Sequence, residues 1–172
     1  MVTSRRRRGV TLMELLIVVG IVSSLFAVGA PILLQANRQF IMVRSKVQLQ
    51  QEARGIMYII TRALRQAQSN SIVITRVDGN QPFYSQIKFT TEQSSSTAVS
   101  NSMTFQQEGT TLYQVIKNHK RILTTNLNYL AFTFPRSDDM TIISVSLTLQ
   151  MGIYEGRTKQ LHMASEKVRV MD

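Results

Sequence analysis

From Leu12 to Leu34 the chain reads LMELLIVVGIVSSLFAVGAPILL, 23 residues with one charge, Glu14. Wound as a helix at about 1.5 Å per residue, this run is roughly 34 Å long, which matches the hydrocarbon core of a bilayer. A helix that is apolar all round must be covered all round, by lipid or by other protein. The run therefore reads as a membrane-crossing segment, since a buried soluble helix of this length and uniform apolarity would be unusual. Arg5, Arg6, Arg7 and Arg8 stand just before it. Basic residues are retained on the cytoplasmic side, so the N-terminus stays inside and the C-terminal part is exported. Arg38, Arg44 and Lys46 follow the run and weaken that asymmetry, but the first cluster is denser.

The overall charge is +10, which by itself suggests an acidic partner. Its distribution changes that reading. Between Gln35 and Ser69 six basic residues face one acidic residue, Glu52. From Asn70 onward ten basic residues meet eight acidic ones. The basicity thus belongs to the N-terminal region, whereas a nucleic-acid domain concentrates it in its folded part. Apolar residues make up 44% and charged residues 17%, a balance that excludes wholesale disorder. There is no cysteine, which excludes a disulfide framework, a thiolate metal site and a cysteine nucleophile.

Glu14 admits two readings. It lies near the helix start, where headgroups and the positive end of the helix dipole receive it, or it pairs with a cation inside an assembly. A cleavable secretory signal competes for the same segment, with Ala27-Val28-Gly29 as its small-residue site. The length of the apolar run, Glu14 and the helical pattern beyond Pro31 argue against it.

Gly9-Val10-Thr11-Leu12-Met13-Glu14-Leu15-Leu16, behind Arg5 to Arg8, resembles the class III signal of the type IV pilin family, which includes the pseudopilins of type II secretion. The resemblance implies a pilin-like α+β fold. It implies cleavage between Gly9 and Val10 by prepilin peptidase and N-methylation of Val10. It places Glu14 on the family's glutamate, which pairs with the N-terminal amine of a neighbouring subunit, and Pro31 on the family's helix-kinking proline. The departure is Val10, where phenylalanine or methionine is commoner. The physics of the pairing is sound, since an amine and a carboxylate attract strongly in low dielectric and either alone is costly there.

Past Pro31 the apolar residues Leu33, Ala36, Phe40, Val43, Val47, Leu49, Ala53, Ile56, Ile60, Ala63, Leu64 and Ala67 recur mostly at steps of three and four. This spacing predicts one amphipathic helix that ends near Gln68, so that Pro31 kinks or locally melts a helix rather than ending it. Gly55 inside this stretch predicts close approach of a strand. The basic face reads as solvated, or as pairing with acidic residues of neighbouring subunits, ahead of DNA contact.

Beyond Asn70 the period becomes two. Ser71–Val77 and Phe83–Thr90 predict a hairpin around Asp78-Gly79-Asn80. Thr91 to Asn101 reads as a polar loop. Ser102–Gln106, Thr111–Ile116, Leu127–Phe134, Thr141–Met151 and Lys159–Val170 predict further strands, giving mainly one antiparallel sheet with a face on the helix. The succession of SMTF, TLYQV, LNYLAFTF and ISVSLTL, with YIITRALRQA in the helix, resembles minor pilins of the W or J type.

The expected organisation is a leader at 1–9, a transmembrane and polymerisation segment at 10–34, an amphipathic helical segment at 35–68 and a β-sheet head at 69–172. No catalytic constellation is visible. His119 and His162 lack ligand spacing, Asp138-Asp139 reads as a solvated turn, and no metal or cofactor is expected. The resemblance implies as partners other pilin or pseudopilin subunits, prepilin peptidase, an inner-membrane assembly platform and, before assembly, the lipid bilayer. Two rival readings are a DNA-uptake subunit and a single-pass anchored periplasmic binding module. A third, an exported enzyme, would need a convergent polar cluster that the sequence does not offer.

Overall fold

The computed structural model describes residues 10–91, 101–117, 119–154 and 158–170. They divide into two compact units, one reaching Ile41 and the other beginning at Met42. One long helix, α1 (Leu12–Arg65), passes from the first into the second, and within the second it packs on antiparallel sheets. The architecture is the expected α+β, but the head contains two sheets where one was predicted. Strands β1 (Val73–Thr75), β2 (Gln86–Thr91), β3 (Asn101–Glu108), β4 (Thr111–Ile116) and β5 (His119–Thr124) form a five-stranded meander in that order. Strands β6 (Leu127–Thr133), β7 (Ile142–Tyr154) and β8 (Thr158–Arg169) form a second, three-stranded meander.

The two sheets share one core. Leu49, Ala53, Ile56, Ile60 and Leu64 of α1 join Ile87, Phe89, Phe105 and Leu112 of the first sheet and Leu130, Phe132, Val145 and Leu147 of the second in a single buried cluster. Backbone bonds also tie the sheets together. Leu127 N donates to Thr110 O at 2.8 Å, and Phe132 N donates to Tyr84 O at 2.8 Å. Tyr84 takes up the left-handed region, at φ 67°, in the turn just before β2. The apolar stripe of the helix is covered only in part. Leu33, Phe40, Val43 and Val47 are 46–72% exposed, and burial begins at Leu49.

Three boundaries differ from the sequence reading for local reasons. The helix ends at Arg65 rather than near Gln68, because the backbone beyond it is claimed by β2: Ala67 bridges Thr91, and Gln68 N donates to Thr90 O at 3.0 Å. Ser69–Ser71 forms a 3₁₀ turn, so β1 is shorter than predicted. There the Ser71 hydroxyl donates to Gln68 O and accepts from Thr90 N. Strand β5 was not predicted at all. Residues 92–100, most of the predicted polar loop, lie outside the described residues.

Outside the core, the five-stranded sheet carries a polar chain from strand to strand. The Thr75 hydroxyl donates to Gln86 Oε1, Gln86 Nε2 donates to Gln106 Oε1, and Gln106 Nε2 donates to Glu108 Oε1. Lys120 Nζ closes it on Glu108 at 2.6 Å while lying 4.0 Å from the centre of the Tyr113 ring. The lysine beside Glu108 holds its carboxyl below the usual range.

Candidate functional site

The residues singled out in the sequence fall at the start of α1. Gly9 and Arg5 to Arg8 lie outside the described residues, which begin at Val10. Thr11 precedes the helix, and its Oγ1 accepts from the Glu14 backbone N–H at 3.3 Å. Thr11-Leu12-Met13-Glu14 thus has the residue types of a capping box, with threonine at the cap and glutamate three residues on. Threonine followed three residues later by glutamate, ahead of an apolar run, is a signal for such a cap that the sequence itself carries. Glu14 sits in the first turn, where the unpaired backbone N–H groups and the dipole favour a carboxylate.

Every large apolar side chain from Val10 to Leu34 is 43–79% exposed. The segment shows no preferred face and no cover of its own. Its two serines satisfy themselves locally: Ser23 Oγ donates to Val19 O and Ser24 Oγ to Ile21 O, both at 2.7 Å. A hydroxyl bonded back to its own helix leaves no polar group needing water, as a low-dielectric surrounding requires. The helix is long and apolar enough to cross a membrane by length and composition. Pro31 lies inside α1 and the helix continues on both sides of it, so the proline does not end the helix. Its ring removes one backbone donor. About 25 Å of helix axis separates Glu14 from Pro31, so the structure does not bring them together.

Within the head, one carboxylate matters that the sequence did not reveal. Glu52, half-buried on α1, accepts from Thr124 Oγ1 and, at 3.1 Å, from Asn126 Nδ2. It fastens the helix to the link between β5 and β6. Gly55 is exposed, and a Cβ placed there would meet nothing within 4 Å, so no strand approaches it. His119 lies on β5 and His162 on β8, in different sheets. Asp138 forms an ion pair with Arg136 at 2.7 Å, and Asp139 accepts from Thr141 N and Oγ1, which holds both carboxyls below their usual range. Among the described residues no three His, Asp or Glu side chains converge as a metal site would need.

No protein-family model, curated protein or solved structure matches the chain.

Proposed function

We propose that the chain is a minor pilin or pseudopilin. In this reading prepilin peptidase cleaves between Gly9 and Val10 and methylates Val10, and the product waits in the cytoplasmic membrane with its head exported. It then joins a type IV pilus or secretion pseudopilus by transferring its apolar helix from lipid to neighbouring helices. The observation that carries the reading is the segment Val10–Leu34, apolar and exposed on all sides, with its single carboxylate in the first helical turn. Lipid and a bundle of like helices are interchangeable covers for such a surface, because the apolar surroundings are equivalent. Glu14 then supplies what apolar contact lacks, a charge that fixes one register against the amine of an adjacent subunit.

The test is the mass of the N-terminal peptide of membrane-extracted protein, with and without prepilin peptidase. A peptide beginning at N-methylated Val10, lost without the peptidase, supports the reading. A start at Met1 leaves an anchored periplasmic module, and a start near Ala30 leaves an ordinary secreted protein.

A further inference from the structure

Between the C-terminal part of α1 and strand β8 runs a groove of about 560 Å³. Arg54, Arg62 and Arg65 line it from the helix, and Ala164, Ser165 and Glu166 line it from the strand. Its floor includes Met57 and Thr61, each 5% exposed. The three arginines are exposed, and the two ion pairs found among the described residues are Lys120–Glu108 and Arg136–Asp138. Glu166 is the one carboxylate among the lining residues, so the groove carries an excess of positive charge.

The strand wall has its own requirement. Successive side chains of a strand point to opposite faces, so Ala164 and Glu166 share one face and the groove meets the backbone of the strand as well as its side chains. Among the described residues β8 is an edge strand, hydrogen-bonded to β7 and to no other strand. Its outer row of backbone N–H and C=O groups is a template for one more strand.

We infer that this groove receives an extended acidic segment of a different polypeptide, which adds to the edge of β8 and directs its carboxylates at Arg54, Arg62 and Arg65. The dimensions agree. Arg54 to Arg65 spans about 16 Å of helix, the length of about five residues of strand. Same-face carboxylates on such a segment recur about every 6.7 Å, a spacing that three flexible arginines can follow. A second copy of this chain is a poor occupant. It carries 20 basic against 10 acidic residues, and no five-residue window holds more acidic residues than the pair Asp138-Asp139. The phosphodiesters of nucleic acid and of lipid answer the arginines, but a phosphodiester accepts hydrogen bonds without donating, so it leaves the carbonyls of the strand edge unmatched. The inference does not rest on the filament reading, and an unprocessed N-terminus would leave it standing.

The test uses the full chain in detergent micelles and a labelled peptide of alternating glutamate and threonine, seven residues long, read by fluorescence anisotropy. Backbone amide exchange across β8 is measured in parallel. Binding of the glutamate peptide, slowed exchange at 164–166, and a loss of affinity of about tenfold or more in Arg62→Ala/Arg65→Ala support the inference. The arginines are exposed, so an unchanged far-UV spectrum certifies that the variant is folded. No binding, binding equal to that of the lysine-threonine peptide, or binding without protection in β8 overturns it. Tighter, Arg62-dependent binding of a duplex oligonucleotide or of anionic vesicles assigns the groove to phosphate and overturns it as well. Self-association without peptide that disappears in the same variant would assign the groove to a second copy.

Discussion

Removing the Glu52 carboxylate tests how the helix is held to the head. Glu52 accepts from Thr124 Oγ1 at 2.5 Å and from Asn126 Nδ2 at 3.1 Å. Hydrogen bonds to a charged group contribute about 1.5–3 kcal/mol each, and the half-exposed position of Glu52 places these at the lower end. Thr124 is 4% exposed, so its hydroxyl loses an acceptor with little access to water, although it still accepts from Asn126 N at 2.9 Å. Glu52→Ala is therefore expected to cost about 2–3 kcal/mol. Glu52→Gln keeps an acceptor for Thr124 but turns an amide donor toward the amide donor of Asn126, and should cost about 1 kcal/mol. Urea unfolding of the unit Met42–Asp172, followed by far-UV circular dichroism, measures both, since this unit holds the whole core cluster. Asn126→Ala completes a double-mutant cycle with Glu52→Ala, with an expected coupling of about 1 kcal/mol. A loss below about 0.5 kcal/mol for Glu52→Ala, or additivity in the cycle, would refute the reasoning.

Four further outcomes follow from the geometry. Gly109 has φ +60° at the first position of the two-residue loop joining Glu108 to Thr111, so Gly109→Ala should cost about 1–2 kcal/mol through backbone strain alone, read from the urea midpoint. Lys117 has φ 45° in the loop between β4 and β5, and Lys117→Gly should gain a few tenths to about 1 kcal/mol in the same assay. Leu147 is wholly buried, and Leu147→Ala should cost about 2–5 kcal/mol. The Glu108 carboxyl is held low in the fold, so its pairing with Lys120 stabilises above the ordinary carboxylate range and is lost as pH falls through the lowered value. Lys120→Met should therefore melt slightly below wild type at neutral pH, with the gap closing below about pH 4.

The parts of this fold legible in the sequence were those with a repeat to count. Steps of three and four marked α1, and alternation marked β3, β4, β6, β7 and β8. The same stripe overstated how much helix is covered, because Val43 and Val47 keep the spacing of a buried face and are nevertheless exposed. β5 escaped because His119, Lys120 and Arg121 open an edge strand that buries only Thr124, leaving no alternation to read. The division into two sheets depends on long-range pairing, such as that between Leu127 and Leu149, which no local pattern encodes. At the candidate site, Glu14 and Pro31 stood out because each is chemically odd in an apolar run. Glu52 looked like one more charge on a polar helix face, and its partners lie 72 and 74 positions away.

The shared core has a consequence for the order in which the molecule can be made. Leu49 and Ala53 emerge early in synthesis, yet Val145, Leu147 and Val168, which help to enclose the same cluster, follow roughly a hundred residues later. Until β7 and β8 have been synthesised, the inner stripe of the helix has no complete cover. Closure must then wait on contacts of long sequence separation, which form slowly, on the millisecond-to-second scale. Over that interval the nascent head presents Ile56, Ile60 and Leu64 beside unpaired strand edges, so the time between synthesis and closure is when the chain is most exposed to proteolysis and to pairing with the wrong neighbour.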